Sequence, residues 1–484
     1  MMIKKIILIG LGLVFAQCSS DLEGLNENGK AFTDVPGEML MSNAQRELAD
    51  QLVNTNVNNN VFRLFAQQWS EAQYTDESRY NIITRSIPER HWNIMYRDIL
   101  KDFDQAAINI EAEEILNVSA GQFAEDTAIK ANKLAIIQIQ ETLAWQILVD
   151  TFGDIPYTEA LDIENINPSY TDDEAIYTSI IDNLNSALDA LDPTYGSFGD
   201  QDLYYGGDVA SWVTFGNSLK LRLGMHLADV NPTLAAQLVS EAANDVILTN
   251  DQNATITYFT TTPNTNPLWV DLVQSKRKDF VPADTFVDVV NELEDPRRPI
   301  FLSDPVNGEF IGAPYGDNIT YNDYSHLGAL FYTPDLEGVI FDAAEVNFLL
   351  AEAVERGFIT GVAADYYNDA ITASMVYWGV SDADAATYLA QPSVAYATAA
   401  GSYKQKIGIQ KWIGLYNRGF EAWTEFRRLD YPQLEAPEQS RFDAVPLRFT
   451  YPVIEQNLNN SGYSAAASAI GGDELDTPIF WDVN

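Results

Sequence analysis

Ala344-Glu345-Val346-Asn347-Phe348-Leu349-Leu350-Ala351-Glu352-Ala353 lies inside a run from Phe341 to Arg356 whose apolar residues recur at spacings of three and four. That is the period of an amphipathic helix. Counting on from Ala351, the residues Val354, Ala363, Tyr367 and Ala370 fall at offsets of 3, 12, 16 and 19. The same offsets lead from Gly224 to Leu227, Ala236, Ser240 and Ala243. This is the spacing of tetratricopeptide helix pairs, where small residues let facing helices approach and bulky ones fill the groove between them. Ser240 stands where such a pair usually carries an aromatic. The two stretches predict a mainly α fold of tetratricopeptide-like helix hairpins.

Working outward, the same periodicity predicts helices over Gly37–Val53, Val57–Gln73, Pro88–Ala112, Glu125–Phe152, Asp172–Leu191, Asp208–Asp229 and Asn231–Leu248. In the C-terminal half it predicts Val362–Trp378 and Ser402–Leu429. Asp208 and Pro232 sit where helix starts favour them. Strand-like alternation is sparse, and Ala254–Thr261 is the best candidate. Between the two helix pairs, Thr249–Ile340 changes character. Thr260-Thr261-Thr262-Pro263-Asn264-Thr265-Asn266-Pro267 and Tyr315-Gly316-Asp317-Asn318-Ile319-Thr320-Tyr321-Asn322-Asp323-Tyr324 are loop residues punctuated by aromatics. A long, poorly helical insertion in a helical frame is where function tends to sit.

Acids outnumber bases 70 to 28 in the 484 residues, a formal charge of −42. Nucleic acid is thereby excluded as a partner, since phosphate binding needs clustered Lys and Arg. Anionic ligands such as sulfated glycans are disfavoured unless a local basic pocket exists. With 46% hydrophobic and 12% aromatic residues the chain has ample material for a core. No linker rich in Ser, Gly or Pro divides it.

At the N-terminus, Lys4 and Lys5 precede the apolar run Ile6 to Ala16. The run is shorter than the about 20 residues that a membrane span needs, and the pattern is that of a secretory signal peptide over residues 1–17. Cys18, the one cysteine in the chain, follows it. Phe15-Ala16-Gln17-Cys18 resembles the lipobox of bacterial lipoproteins, with Gln17 where Gly, Ala or Ser is usual. The resemblance implies acylation of Cys18. Ser19-Ser20-Asp21-Leu22-Glu23 resembles the signal that sends Bacteroidetes lipoproteins to the cell surface.

Several segments, in order along the chain, resemble the SusD/RagB family of nutrient-binding outer-membrane lipoproteins. They are Trp92-Asn93-Ile94-Met95-Tyr96, Phe152-Gly153-Asp154-Ile155-Pro156-Tyr157, Asn217 to Leu223 and Asp295-Pro296-Arg297-Arg298-Pro299. Ala344 to Ala353 is the strongest, and Arg418-Gly419-Phe420-Glu421-Ala422-Trp423 with Arg427-Arg428-Leu429 closes the series. Gln68-Trp69 through Thr75-Asp76-Glu77-Ser78-Arg79-Tyr80-Asn81 is similar to the SusD-like subgroup distinct from the starch-binding prototype. The resemblance implies a single SusD-like domain over residues 18–484, with ligand-bearing loops at 249–340. It also implies lipid anchoring in the outer membrane at the cell surface, no enzymatic activity, no cofactor, and a TonB-dependent, SusC-like transporter as partner.

Sugar rings stack their C–H faces on Trp and Tyr and offer hydroxyls to Asn, Asp, Gln or Arg. A neutral oligosaccharide suits so acidic a protein. Loop aromatics with such neighbours select Tyr74, Tyr80, Asn81, Trp269, Arg277, Tyr321, Asn322 and Tyr324 as ligand-binding candidates. Trp69, Trp92, Trp145, Trp212, Trp378, Trp412 and Trp423 belong to structural patterns, and Asp76-Glu77-Ser78-Arg79 predicts a local ion pair that fixes its loop. Gly-x-Ser-x-Gly is absent. His91, His226 and His326 are isolated, with no zinc-site spacing. No catalytic and no metal residues are therefore assigned. The alternatives are a peptide-capturing relative with the same frame, a tetratricopeptide scaffold with protein partners alone, and a surface glycoside hydrolase.

Overall fold

The computed structural model describes residues 35–116 and 119–483. The predicted leader and the lipidation candidate Cys18 lie outside the described residues. Ten helices carry the frame: α1 (Gly37–Val53), α2 (Lys101–Ala112), α3 (Ala120–Phe152), α4 (Asp173–Ala190), α5 (Val209–His226), α6 (Pro232–Ala242), α7 (Ala343–Glu355), α8 (Ala363–Tyr377), α9 (Tyr403–Gly414) and α10 (Gly419–Leu429). They pack in pairs: α1 on α2, α3 on α4, α5 on α6, α7 on α8 and α9 on α10. Side-chain caps start many of them. Ser119, Asp172, Asp208, Asn231, Asp342 and Ser402 each accept a backbone N–H of the first turn. Each such cap contributes about 0.5–2 kcal/mol. No helix among the described residues is long and apolar enough to cross a membrane.

The predicted pair arithmetic holds in α7 and α8, where Ala351, Ala363, Tyr367 and Ala370 are all buried. In α5 and α6 the register is displaced by one. The buried positions are Ala235, Val239 and Ala242, while Ala236 and Ala243 are half-buried and Ser240 is exposed. Gly224 does make the close approach, since a Cβ there would lie 3.1 Å from Leu238 and Val239. Ser240, in the place of an aromatic, marked the mismatch.

The predicted helices Ser402–Leu429 and Val57–Gln73 do not form as single helices. The first breaks between α9 and α10, where Asn417 takes a left-handed φ of 73° and Arg418 turns inward to Glu345. A Cβ on Gly419 would sit 2.5 Å from the Arg63 backbone nitrogen, so only glycine lets α10 start there. Val57–Gln73 is helical only over Phe62–Phe65, after which Trp69–Glu71 form strand β1. Its apolar spacing serves an aromatic core instead. Phe62 stacks on Trp423 and Phe449 with centroids 5.3 and 5.2 Å away. The buried Arg63 donates to the carbonyls of Val53, Asn54 and Asn417.

The seven tryptophans read as structural are all buried. A chain of buried charges joins the hairpins. Arg222 of α5 forms a two-pronged pair with Glu345 of α7 at 2.7 and 2.9 Å. Arg428 of α10 does the same with Glu352 of α7 at 2.7 and 2.5 Å.

The remaining strands are β2 (Ile155–Pro156), β3 (Tyr170–Thr171), β4 (Ala254–Ile256), β5 (Phe280–Pro282), β6 (Leu302–Ser303), β7 (His326–Leu327) and β8 (Gly338–Phe341). The predicted Ala254–Thr261 strand is thus only its first three residues. Antiparallel pairing of β4 with β8 brings together the two ends of the 249–340 insertion. Within the insertion β6 pairs with β7, and β5 pairs outside it with β1, in the register Trp69↔Pro282 to Glu71↔Phe280.

Candidate functional site

The β1–β5 and β6–β7 pairs build a pocket of about 370 Å³. Phe280 comes from β5 and Lys276, Arg277 and Lys278 from the turn before it. Ser303 and His326 face it from β6 and β7, and Tyr321 and Tyr332 from two short 3-10 turns. Tyr321 also packs, with Ile319 and Tyr324, against a small apolar cluster of Ala72, Val281 and Ala313.

Tyr321 is held tightly. The His326 ring stacks on it with centroids 4.0 Å apart and planes 21° from parallel. Nε2 of His326 lies 3.1 Å from the Tyr321 carbonyl oxygen, and Nδ1 lies 2.8 Å from Asp304. The Lys278 ammonium sits over the Tyr321 ring, 5.1 Å from its centroid. Burial first, and Tyr321 beside it second, push the Tyr332 hydroxyl pKa upward.

Tyr74 reaches the solvent from the adjoining loop. The Ala72 N–H donates to Asp279 O and the Ile319 N–H donates to Ala72 O, so the loop leaves from between those two chains. Tyr74 itself is 66% exposed, with φ of 57°. The loop is pinned from behind. Glu71 accepts from the Ser78 N–H and hydroxyl at 2.9 and 3.0 Å, and Arg79 donates to Gly316 O at 2.7 Å. The local ion pair predicted within Asp76-Glu77-Ser78-Arg79 does not form as such: Glu77 pairs with Arg85, beyond the quartet, because Arg79 is drawn to the Gly316 carbonyl. Burial, then the neighbouring Glu77, pushes the Glu71 carboxyl well above its usual range.

Of the predicted residues, Arg277 and Tyr321 line the pocket, Tyr324 is outside its lining and packs against the Ala72 cluster, and Asn322 is exposed on the Tyr321 turn. Arg277 is tied to Asp279 at 2.5 Å. Tyr80 is placed elsewhere: it is a core residue, 1% exposed, packed on Phe65 and accepting from Gln67 at 2.9 Å. Burial pushes its hydroxyl to about 12. Its ring offers no open face to a sugar. Asn81 spends its carbonyl oxygen on the Thr84 hydroxyl and lines a different hollow of about 300 Å³, against Arg441 to Leu475. Trp269 is half-buried and outside the lining of the Tyr321 pocket. Lys276, Lys278 and Tyr332 also line the pocket without being predicted, and so does His326, which is isolated in the sequence. Lys276-Arg277-Lys278 was legible as three adjacent cations in a chain poor in them.

A wider hollow of about 500 Å³ opens beside Asp154, Glu159 and Asp172 and is floored by Ala465, Ala466 and Ala469. Asp154, Asp172 and Asp173 bring carboxylate oxygens within 4.8 Å of one another there. Three acids do not by themselves define a metal site. Burial first, then the charge of Asp154, raises Asp173 to about 7, and burial raises Asp154 to about 6. A carboxyl raised in the fold binds protons that the unfolded chain has released, so its contribution to stability falls as pH rises from about 4 to 7. Asp173→Asn is therefore expected to stabilise the protein at pH 8 relative to pH 5, by about 1–3 kcal/mol, in urea melts at the two pH values.

A family model described as "Starch-binding associating with outer membrane", of SusD-like type, matches residues 29–452. Solved structures share the fold. A chitin-binding SusD homologue from Flavobacterium johnsoniae is 24% identical, with 92% of this chain and 98% of that one covered at a TM-score of 0.76. A SusD homologue from Bacteroides uniformis is 24% identical, with 92% and 99% covered at 0.74. A SusD-like protein from Bacteroidetes is 22% identical, with 93% and 100% covered at 0.80. No curated protein matches this chain by sequence.

Proposed function

Because the chain belongs to the SusD-like family of starch-binding proteins that associate with the outer membrane, we propose that it captures oligosaccharide at the cell surface and hands it to a TonB-dependent transporter. Residues 1–17 are then a leader, Cys18 carries the lipid anchor, and residues 18–484 form one binding domain whose ligand-bearing loops lie at 249–340. It binds its ligand and does not transform it.

The observation that carries the reading is the exposed Tyr74 ring on a pinned loop beside the Tyr321 pocket. A ring already ordered by its loop stacks on a sugar face at little entropic cost. The pocket next to it supplies hydrogen-bond donors, among them Lys276, Arg277 and Lys278. Many modest contacts of this kind suit a subunit that must release what it holds.

Calorimetric titration tests this. Since one structural relative binds chitin, chitin oligosaccharides are the first probes, followed by other neutral and charged oligosaccharides and by mixed peptides of similar length. Saccharide binding is expected, and Tyr74→Ala should weaken it about tenfold, the loss of one aromatic stacking contact. Binding of peptides but of no saccharide would replace this reading with the peptide-capturing one.

A further inference from the structure

We propose that the Tyr321 pocket takes an anionic sugar, a ring bearing a carboxylate or a sulfate ester, whose negative group is held by Lys276 and Lys278. This deepens the capture function and rests on it.

The net charge of −42 argues against an anionic ligand only on average. In salt of about 0.1–0.15 M, charges more than about 8–10 Å away are largely screened, so the nearest groups decide. Here those groups are basic. Lys276, Arg277 and Lys278 all line the pocket, and Lys276 is turned by a left-handed φ of 58°.

What sets these lysines apart is that they are unspent. Lys101, Lys133, Lys220, Lys404 and Lys411 each sit on a carboxylate. Among the described residues Lys276 and Lys278 have no ion pair and no side-chain hydrogen bond, and Lys278 has only the ring of Tyr321. The acids of the pocket are already engaged. Asp279 takes Arg277 and Asp304 takes His326. An incoming anion therefore meets two available ammonium groups.

The same geometry disfavours a neutral ring lying flat on Tyr321. His326 covers a face of it at stacking distance, and the Lys278 ammonium lies over the ring. Charged donors rather than an open aromatic face are what this pocket presents, while Tyr74 remains the stacking ring outside it.

The test is titration of the full mature chain with matched probes. One arm compares oligogalacturonate with its methyl ester, which removes the carboxylate charge. A second compares κ-carrageenan oligosaccharides with their desulfated form. Chitin oligosaccharides serve as the neutral arm. The native protein should bind one anionic probe at least about tenfold tighter than its neutralised counterpart, and the preference should shrink when salt is raised from about 0.05 M to 0.5 M. Lys276→Gln with Lys278→Gln should abolish that preference without shifting the thermal midpoint, since neither side chain is buried. Equal binding of charged and neutral partners, binding of chitin oligosaccharides alone, or a preference that survives the double substitution would overturn the anionic assignment and leave saccharide capture standing. Failure of every saccharide to bind would overturn both.

Discussion

Glu345→Ala is expected to cost about 3–5 kcal/mol of stability, a large part of the roughly 5–15 kcal/mol that holds a typical domain folded. Glu345 has no exposed surface. Its two oxygens take both prongs of Arg222 and the Arg418 guanidinium at 2.7 Å. Burial alone would raise its pKa. Arg222 and then Arg418 outweigh that and hold the carboxyl below its usual range. Removing it leaves two guanidinium groups out of water with a single carboxylate each, Glu421 for Arg222 and Asp342 for Arg418, both at 3.1 Å, and the penalty of the unmade hydrogen bonds, rather than the lost attraction, dominates the cost. The ion pair between Arg97 and Asp98 is the contrast, since the Arg97 side chain is 71% exposed. Arg97→Ala is expected to cost less than about 1 kcal/mol. Urea melts of both variants give the comparison. The sign of the pH dependence follows from the lowered carboxyl. Its contribution is complete above the ordinary carboxylate range and fades as pH falls through the lowered value, so the two proteins should converge in acid. A Glu345→Ala variant as stable as the native chain at pH 7 would show that the arginines relax to water, and that the hairpins are not joined through this cluster.

How far such features can be read from the sequence depends on how local their causes are. Gly37–Val53 is a helix at its predicted bounds because one apolar stripe, Met41, Ala44, Leu48 and Ala49, faces the core throughout. The long prediction over Ser402–Leu429 fails because its break is caused from outside, by Arg63 against Gly419 and Glu345 against Arg418. Tyr74 and Tyr80 look alike in the sequence, each in a polar loop, and in the fold both take a positive φ. Only the packing of Phe65 and Tyr315 around Tyr80 separates the exposed ring from the buried one. Trp269 was chosen for its asparagine neighbours, yet Asn266 is spent on Leu268 N and Leu336 O. The pocket itself depends on strands of two and three residues, too short to leave a periodic signal. The basic triplet was visible, but its meaning needed the knowledge that its lysines lack carboxylate partners.

Trp69→Ala is expected to be as damaging to the frame as the loss of Glu345, about 3–5 kcal/mol, and in addition to weaken ligand binding by the molecules that stay folded. The indole is fully buried. Its Nε1 donates to the Tyr416 hydroxyl at 2.9 Å, and its ring lies 5.9 Å from Phe280 and 6.0 Å from Phe331. Phe280 lines the pocket. Trp69 also opens β1, the strand that pairs with β5 and runs on into the Tyr74 loop. Truncation removes the support behind both, so stability and site should fail together. Trp212→Ala separates the two effects. Trp212 is equally buried, but it packs on Tyr204, Tyr205 and Phe215, none of which lines the pocket. It should lose comparable stability while its folded fraction binds the saccharide normally. Measured at a temperature where all three proteins are folded, affinity should drop for Trp69→Ala and hold for Trp212→Ala. Equal affinity in both would mean that the pocket keeps its shape without the Trp69 ring, and that the Tyr74 loop is positioned by the ties of Ser78 to Glu71 and of Arg79 to Gly316 alone.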